Sequence, residues 1–330
     1  MGVTVPAPTL TPQQSGTTSR LQAISPLSDR IAWASGVGGT YAVTTDGGDT
    51  WRGGVVPGAD SLEFRDVEGV SERIAYLLAA GPGDRSRIYK TRDGGRSWSL
   101  QFTSRDTSAF YDCFAFWDER RGFTMSDAVA GRFPVVRTGD GESWTDIGDR
   151  FPPAQNGEGA FAASGTCAAA IGDRHGWIST GAAARARVLA TSDGGDTWQA
   201  YQTPIAQGSA TSGGASVEFR DTLDGILGGG DIAAPDSFAD NVARSSDGGR
   251  TWRLATRTPF PGAIYGLAYV PGGGSRTVVA TGPSGAAWSA DEGGSWTVLK
   301  GVSGYWAVAF ASPNAGWLVG AEGRILKIAF

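Results

Sequence analysis

Along much of the chain, apolar residues recur at every second position in short runs, and glycine-rich turns bearing an aspartate separate the runs. A period of two belongs to strands with one buried and one solvated face. Three such runs align on the turn that follows them. Phe114 and Phe116 then fall level with Val217 and Phe219, and with Val308 and Phe310. Side chains at these positions are expected to pack between neighbouring sheets. In the first unit, residues 21–25, 30–35 and 40–45 read as three strands, a turn follows, and residues 50–56 read as a fourth. These strands are labelled A to D in order.

The turn between C and D is the most repetitive feature of the chain. Thr44-Thr-Asp-Gly-Gly-Asp-Thr-Trp51 returns in related form from Thr91, Thr191, Ser245 and Ser289, and a copy one residue shorter runs from Thr138 to Trp144. Its chemistry suits a chain reversal. The aspartate carboxylate accepts nearby backbone N–H groups, glycine tolerates positive φ, and tryptophan opens the next strand with a large apolar face beneath the turn. The paired residues Asp46 and Trp51, Asp93 and Trp98, Asp140 and Trp144, Asp193 and Trp198, Asp247 and Trp252, and Asp291 and Trp296 are therefore assigned structural work. The pattern resembles the Asp-box, and the chain at this point resembles the Asp-box (BNR-type) propellers.

The aspartates are spaced by 47, 47, 53, 54 and 44 residues, the repeat length of four-stranded propeller blades. After the sixth turn, residues 305–330 supply an A, a B and a C strand and no further turn. Residues 3–10 form a spare extended segment at the other end of the chain. Placing that segment as the missing D strand closes the ring and removes its open edges. The expectation is an all-β, seven-bladed β-propeller occupying residues 1–330 as a single domain, with its last blade closed by the N-terminal strand.

Composition narrows the chemistry. A net charge of −5 without a basic run argues against nucleic acid as partner. One histidine, His175, and two cysteines, Cys113 and Cys167, leave no thiolate or imidazole metal site, and neither a metal nor another cofactor is expected. The two cysteines occupy equivalent positions on inner strands of neighbouring blades. A disulfide is conceivable, but equivalent side chains point the same way round the ring, so two buried free thiols are the expectation. No apolar run is long enough to span a membrane. The opening residues lack the apolar segment of a secretory signal and look like the start of a mature exported protein with an initiating Met added. An exported monomer is expected.

The topology sorts the connections. A–B turns and the repeated turns share one rim, and B–C and D–A connections share the opposite face. The longest connections, residues 126–134, 149–160, 204–215 and 229–241, all fall on that second face in blades three to five. Binding residues are usually carried on loops of a rigid scaffold, so this face is the candidate. Its candidate ligand residues are Arg105, Tyr111, Asp112, Asp127, Arg132, Phe133, Asp231, Asp236, Phe238, Tyr305 and Trp306. His175 reads as a turn residue of the opposite rim.

Two function classes compete. Sialidases are built on Asp-box propellers, but the Arg-Ile-Pro signature of that family is absent, and Gly131-Arg-Phe-Pro134 is the nearest string. A glycosidase-like or other carboxylate-dependent hydrolase would bring carboxylates together at the channel mouth. A binding scaffold would spread aromatic and arginine side chains over a broad face. The stretch Trp306-Ala-Val-Ala-Phe-Ala-Ser-Pro-Asn-Ala-Gly-Trp-Leu-Val-Gly-Ala-Glu-Gly-Arg-Ile-Leu-Lys327 resembles a repeat of the photosystem II stability/assembly-factor propellers, and residues 21–51 are a looser version. That resemblance implies a seven-bladed ring and a non-catalytic assembly or binding role. A protein or carbohydrate ligand is the expected partner, with catalysis as the alternative.

Overall fold

The computed structural model describes residues 5–272 and 276–330. Seven antiparallel sheets of four strands each are arranged as blades. Blade 1 is typical: strands Leu21–Pro26, Ala32–Gly36, Thr40–Thr44 and Arg52–Val55 pair in sequence order. Every A strand touches the A strands of both neighbouring blades, so the seven A strands line a closed ring about one axis. Apolar side chains on both faces of each blade fill the space between blades. Trp33, Trp177 and Trp317, all on B strands, are among the largest fully buried side chains. Phe114 packs with Tyr76, Leu78 and Ile88 of blade 2, Phe219 with Trp177 of blade 4, and Val308 with Val279 of blade 6. Burial of such aromatic and aliphatic surface is what holds a repeat ring together.

The repeated turns are self-satisfied. In the first, Thr44 Oγ1 donates to Asp46 Oδ1 at 2.8 Å and accepts from the Gly48 N–H at 2.9 Å. Thr50 donates its N–H to Asp46 Oδ1 at 3.0 Å and its hydroxyl to Oδ2 at 2.6 Å. The same bonds recur around Asp93, Asp193, Asp247 and Asp291. In the short copy, Asp140 collects the N–H groups of Glu142 and Ser143 instead.

The ring closes as the chain ends required, with a shift in the closing strand. The fourth strand of blade 7 is Thr9–Gln14, paired antiparallel with Arg324–Ala329, rather than residues 3–10. Residues 3 and 4 lie outside the described residues. Thr9 already faces Ala329, the last residue of the partner strand, so the ladder begins there, and Pro12 is tolerated within it because the strand is an edge. A second expectation is overturned: Cys113 and Cys167 form a disulfide across blades 3 and 4, with Cα atoms 6.0 Å apart. Regular alternation would have pointed the two side chains the same way. A register shift between Tyr111 and Cys113 breaks that alternation, and Cys167 lies just ahead of its strand, Ala168–Ile171.

Candidate functional site

The two faces of the ring are set by the hairpins. Backbone bonds join each of the five full-length repeated turns to the A–B turn of its own blade, as from Gly47 N to Arg30 O at 2.9 Å. B–C and D–A connections meet on the other face, as from Gly39 N to Leu62 O at 2.8 Å.

On that second face, the A strands of blades 1, 2, 3, 5 and 7 share one irregularity. Each carries a register shift at the same level, and the extra residue is Gln22, Arg65, Asp112, Ala215 or Trp306. Bulges re-aim side chains, and Gln22, Arg65, Asp112 and Trp306 all line one cavity of about 440 Å³ at the channel mouth. Arg20, Phe110, Asp127, Phe161 and Tyr265 complete its wall.

The floor of this cavity is a strap of chain. Residues 161–166, from the long connection between blades 3 and 4, cross the ring axis. Ala162 O accepts from Arg65 Nη1 of blade 2 at 3.3 Å, and Ser164 Oγ donates to Tyr265 O of blade 6 at 2.5 Å. Gly165 sits at φ 79° against Asp66 of blade 2, where a Cβ would fall 2.3 Å from the carboxylate oxygen, so only glycine fits. The disulfide follows immediately at Cys167. Below the strap lies a second chamber of about 470 Å³, lined by Asp66, Glu68 and Glu218 among apolar side chains. Burial pushes the Glu68 and Glu218 carboxyls up to about 8.

Charge at the mouth is nearly balanced within the wall. Arg65 gives Nε and Nη2 to Glu63 Oε2 at 3.0 and 2.7 Å. The Arg20 guanidinium lies over the Trp306 ring at 5.2 Å, and Tyr265 stands edge-on to the same ring at 6.0 Å. Asp112 is 2 % exposed. Burial first, and then the charge of and hydrogen bond to Asp127, push its carboxyl well above the usual range, with Arg65 opposing. Burial raises Asp127 to about 6. Burial and mutual repulsion therefore favour one shared proton on the pair over double ionisation. Among the described residues, two buried side-chain atoms of this wall, Arg20 Nε and Gln22 Oε1, have no hydrogen-bond partner, while the Asp112 carboxyl is hydrogen-bonded to Asp127.

Of the sequence-selected residues, the cavity collects Asp112, Asp127 and Trp306. Arg105, Tyr111 and Arg132 line a different cavity of about 830 Å³ between blades 2 and 3, and Arg132 is held by Asp146 at 3.2 Å and Asp149 at 3.1 Å. Phe133 and Tyr305 are buried in the inter-blade core. Asp231 ends a B strand and caps the Ala233 N–H at 3.0 Å, Asp236 is exposed, and exposed Phe238 lies under Arg257. His175 opens a B strand and stacks on Trp177. Arg20, Gln22, Arg65, Phe110, Phe161 and Tyr265 escaped sequence reasoning. The available signal was the alignment column holding Asp112 and Trp306, which also holds Gln22 and Arg65. Among the described residues, no group of three or more His, Cys, Asp or Glu side chains is arranged to hold a metal ion.

No protein-family model and no curated protein matches the chain. Solved structures do match in fold. YCF48 bound to D1 peptide superposes with a TM-score of 0.66 at 15% identity, covering 99% of this chain and 98% of that one. YCF48 from Cyanidioschyzon merolae gives 0.67 at 17% identity over 97% and 98%. The WD40 propeller domain of Doa1 gives 0.62 at 15% identity over 97% of each chain. The chain is thus a seven-bladed propeller that shares its fold with peptide-binding and WD40 rings.

Proposed function

We propose that this chain is an exported, monomeric Asp-box propeller that binds a protein partner without catalysis, through the channel mouth opposite the repeated turns. One observation carries the reading: bulges in four A strands aim polar and aromatic side chains into a single blind cavity whose wall leaves buried polar atoms unpartnered. Such atoms cost free energy until a ligand satisfies them. Two further features support parts of the proposal. The similar fold of YCF48 has been solved with a D1 peptide, and the disulfide suits an oxidising compartment. Immobilised peptide arrays test it. Trp306→Ala is expected to abolish binding, while Arg250→Ala on the opposite rim leaves it intact. Binding that depends on Arg250 and ignores Trp306 would transfer the site to the other face.

A specific observation favours the second reading, a carboxylate-dependent hydrolase. Asp112 and Asp127 converge at the mouth and share a proton, as an acid–base pair does. A hydrogen-bonded pair is closer than the roughly 5 Å or more that separates the carboxyls of glycosidases, which weighs against glycoside chemistry. Hydrolysis of a peptide or ester substrate that disappears in Asp127→Asn would promote this reading over the first.

A further inference from the structure

Building on the protein-binding reading, we infer that the mouth cavity receives the amino terminus of its partner, taking the α-ammonium group against Gln22 and the Asp112–Asp127 pair and the first carbonyl against Arg20. Two atoms without partners and the adjoining acid pair set the requirement. Gln22 Oε1 is an acceptor and Arg20 Nε a donor, and the Asp112–Asp127 pair beside them offers further carboxyl oxygens, all in one wall of a cavity of about 440 Å³. Gln22 and Asp112 are each only 2 % exposed yet line the cavity, so leaving Gln22 Oε1 unpaired there is costly. A ligand must therefore offer several hydrogen-bond donors and, beside them, one acceptor. A free peptide amino terminus does so within one residue: three N–H donors on a cation, then a carbonyl oxygen.

The charged groups facing the acid pair exclude the obvious alternatives. They are Arg65 and Glu63 of blade 2 and Arg20 at the start of blade 1. Arg65 is already committed to Glu63 and to Ala162 O, so it offers a ligand carboxylate little, and such a carboxylate would lie against Asp127. A lysine side chain would satisfy the acceptors and leave Arg20 Nε bare. The ammonium takes the place of the proton shared by Asp112 and Asp127, and that proton leaves to solvent. The first side chain of the partner then meets the aromatic walls of Phe110, Phe161 and Tyr265.

The test uses two pools of degenerate hexapeptides with amidated C-termini, one with free and one with acetylated amino termini, measured on the intact protein. The free pool is expected to bind at least tenfold more tightly. Asp127→Asn and Gln22→Leu are each expected to abolish that preference, and unchanged melting curves exclude misfolding. If Asp127→Asn fails to fold, Gln22→Leu decides alone. Equal binding of both pools, lost in Trp306→Ala, would overturn the amino-terminal assignment and leave the protein-binding reading standing. A preference that survives both variants would also overturn the assignment. Failure of both pools to bind would sink both readings.

Discussion

Gln13 Oε1 accepts the indole N–H groups of two tryptophans at once, Trp51 of blade 1 at 3.1 Å and Trp317 of blade 7 at 2.9 Å. Its amide nitrogen donates to Gly47 O at 3.2 Å, and Lys327 Nζ reaches the same carbonyl at 2.9 Å. One side chain of the N-terminal strand thus ties the first blade to the last. Replacing it orphans two donors in the seam. Gln13→Leu is expected to destabilise the ring by about 1–3 kcal/mol for each donor left unpaired, read by denaturant unfolding. An unchanged midpoint would show that the strand's backbone ladder alone closes the ring.

Loss of the disulfide should act locally as well as globally. Replacing Cys113 and Cys167 together by serine is expected to cost about 2–4 kcal/mol, because the bridge closes a long loop of the unfolded chain. Amide exchange should accelerate in residues 161–166, which the bridge anchors at one end. Gly165→Ala should accelerate the same amides with the bridge intact, since its Cβ has no room beside Asp66. Acceleration elsewhere in blade 4 with a protected strap would contradict this arrangement.

The lower chamber predicts an alkaline weakness. Burial pushes Glu68 and Glu218 from the ordinary 4.5 of a glutamate up to about 8 in the folded ring, so the folded state binds more protons than the unfolded chain between those limits. Their contribution is complete below pH 4.5 and is lost as pH rises through about 8. Glu68→Gln should therefore stabilise the protein at pH 9, on the order of 1–3 kcal/mol, and have little effect at pH 4. Equal effects at both pH values would refute burial as the cause.

The repeated turns predict the opposite arm. Hydrogen bonds from Thr50 and Thr44 hold Asp46 at about 2, and those from Ser97 and Thr91 hold Asp93 at about 2. Their stabilisation is present above pH 3.8 and falls away as pH drops towards 2. Asp46→Asn should remove part of that acid dependence from the unfolding profile. A profile identical to the parent's would mean the turn does not rely on the charged form.

Much of the ring was legible because its determinants are local. Each turn carries its own Asp, Gly and Trp within eight residues, and each strand its own alternation, so blade number and the pairing of chain ends followed from counting. The candidate site was less legible because its determinants are not local. The bulges that aim Gln22 and Arg65 inward break the very alternation used to orient side chains. Tyr265 meets Ser164 across about a hundred residues of chain, with no trace in either segment's pattern. The disulfide was missed for the first reason, through the shift at Tyr111 and Cys113.

The strap across the axis separates this ring from one through which a polymer is threaded. An extended chain entering at the Trp306 mouth meets Phe161 to Ala163 and must stop, presenting its tip rather than its middle. Under the amino-terminal proposal, that strap is what would restrict recognition to the starts of chains, a distinction that an open tunnel or a flat surface has no means to draw.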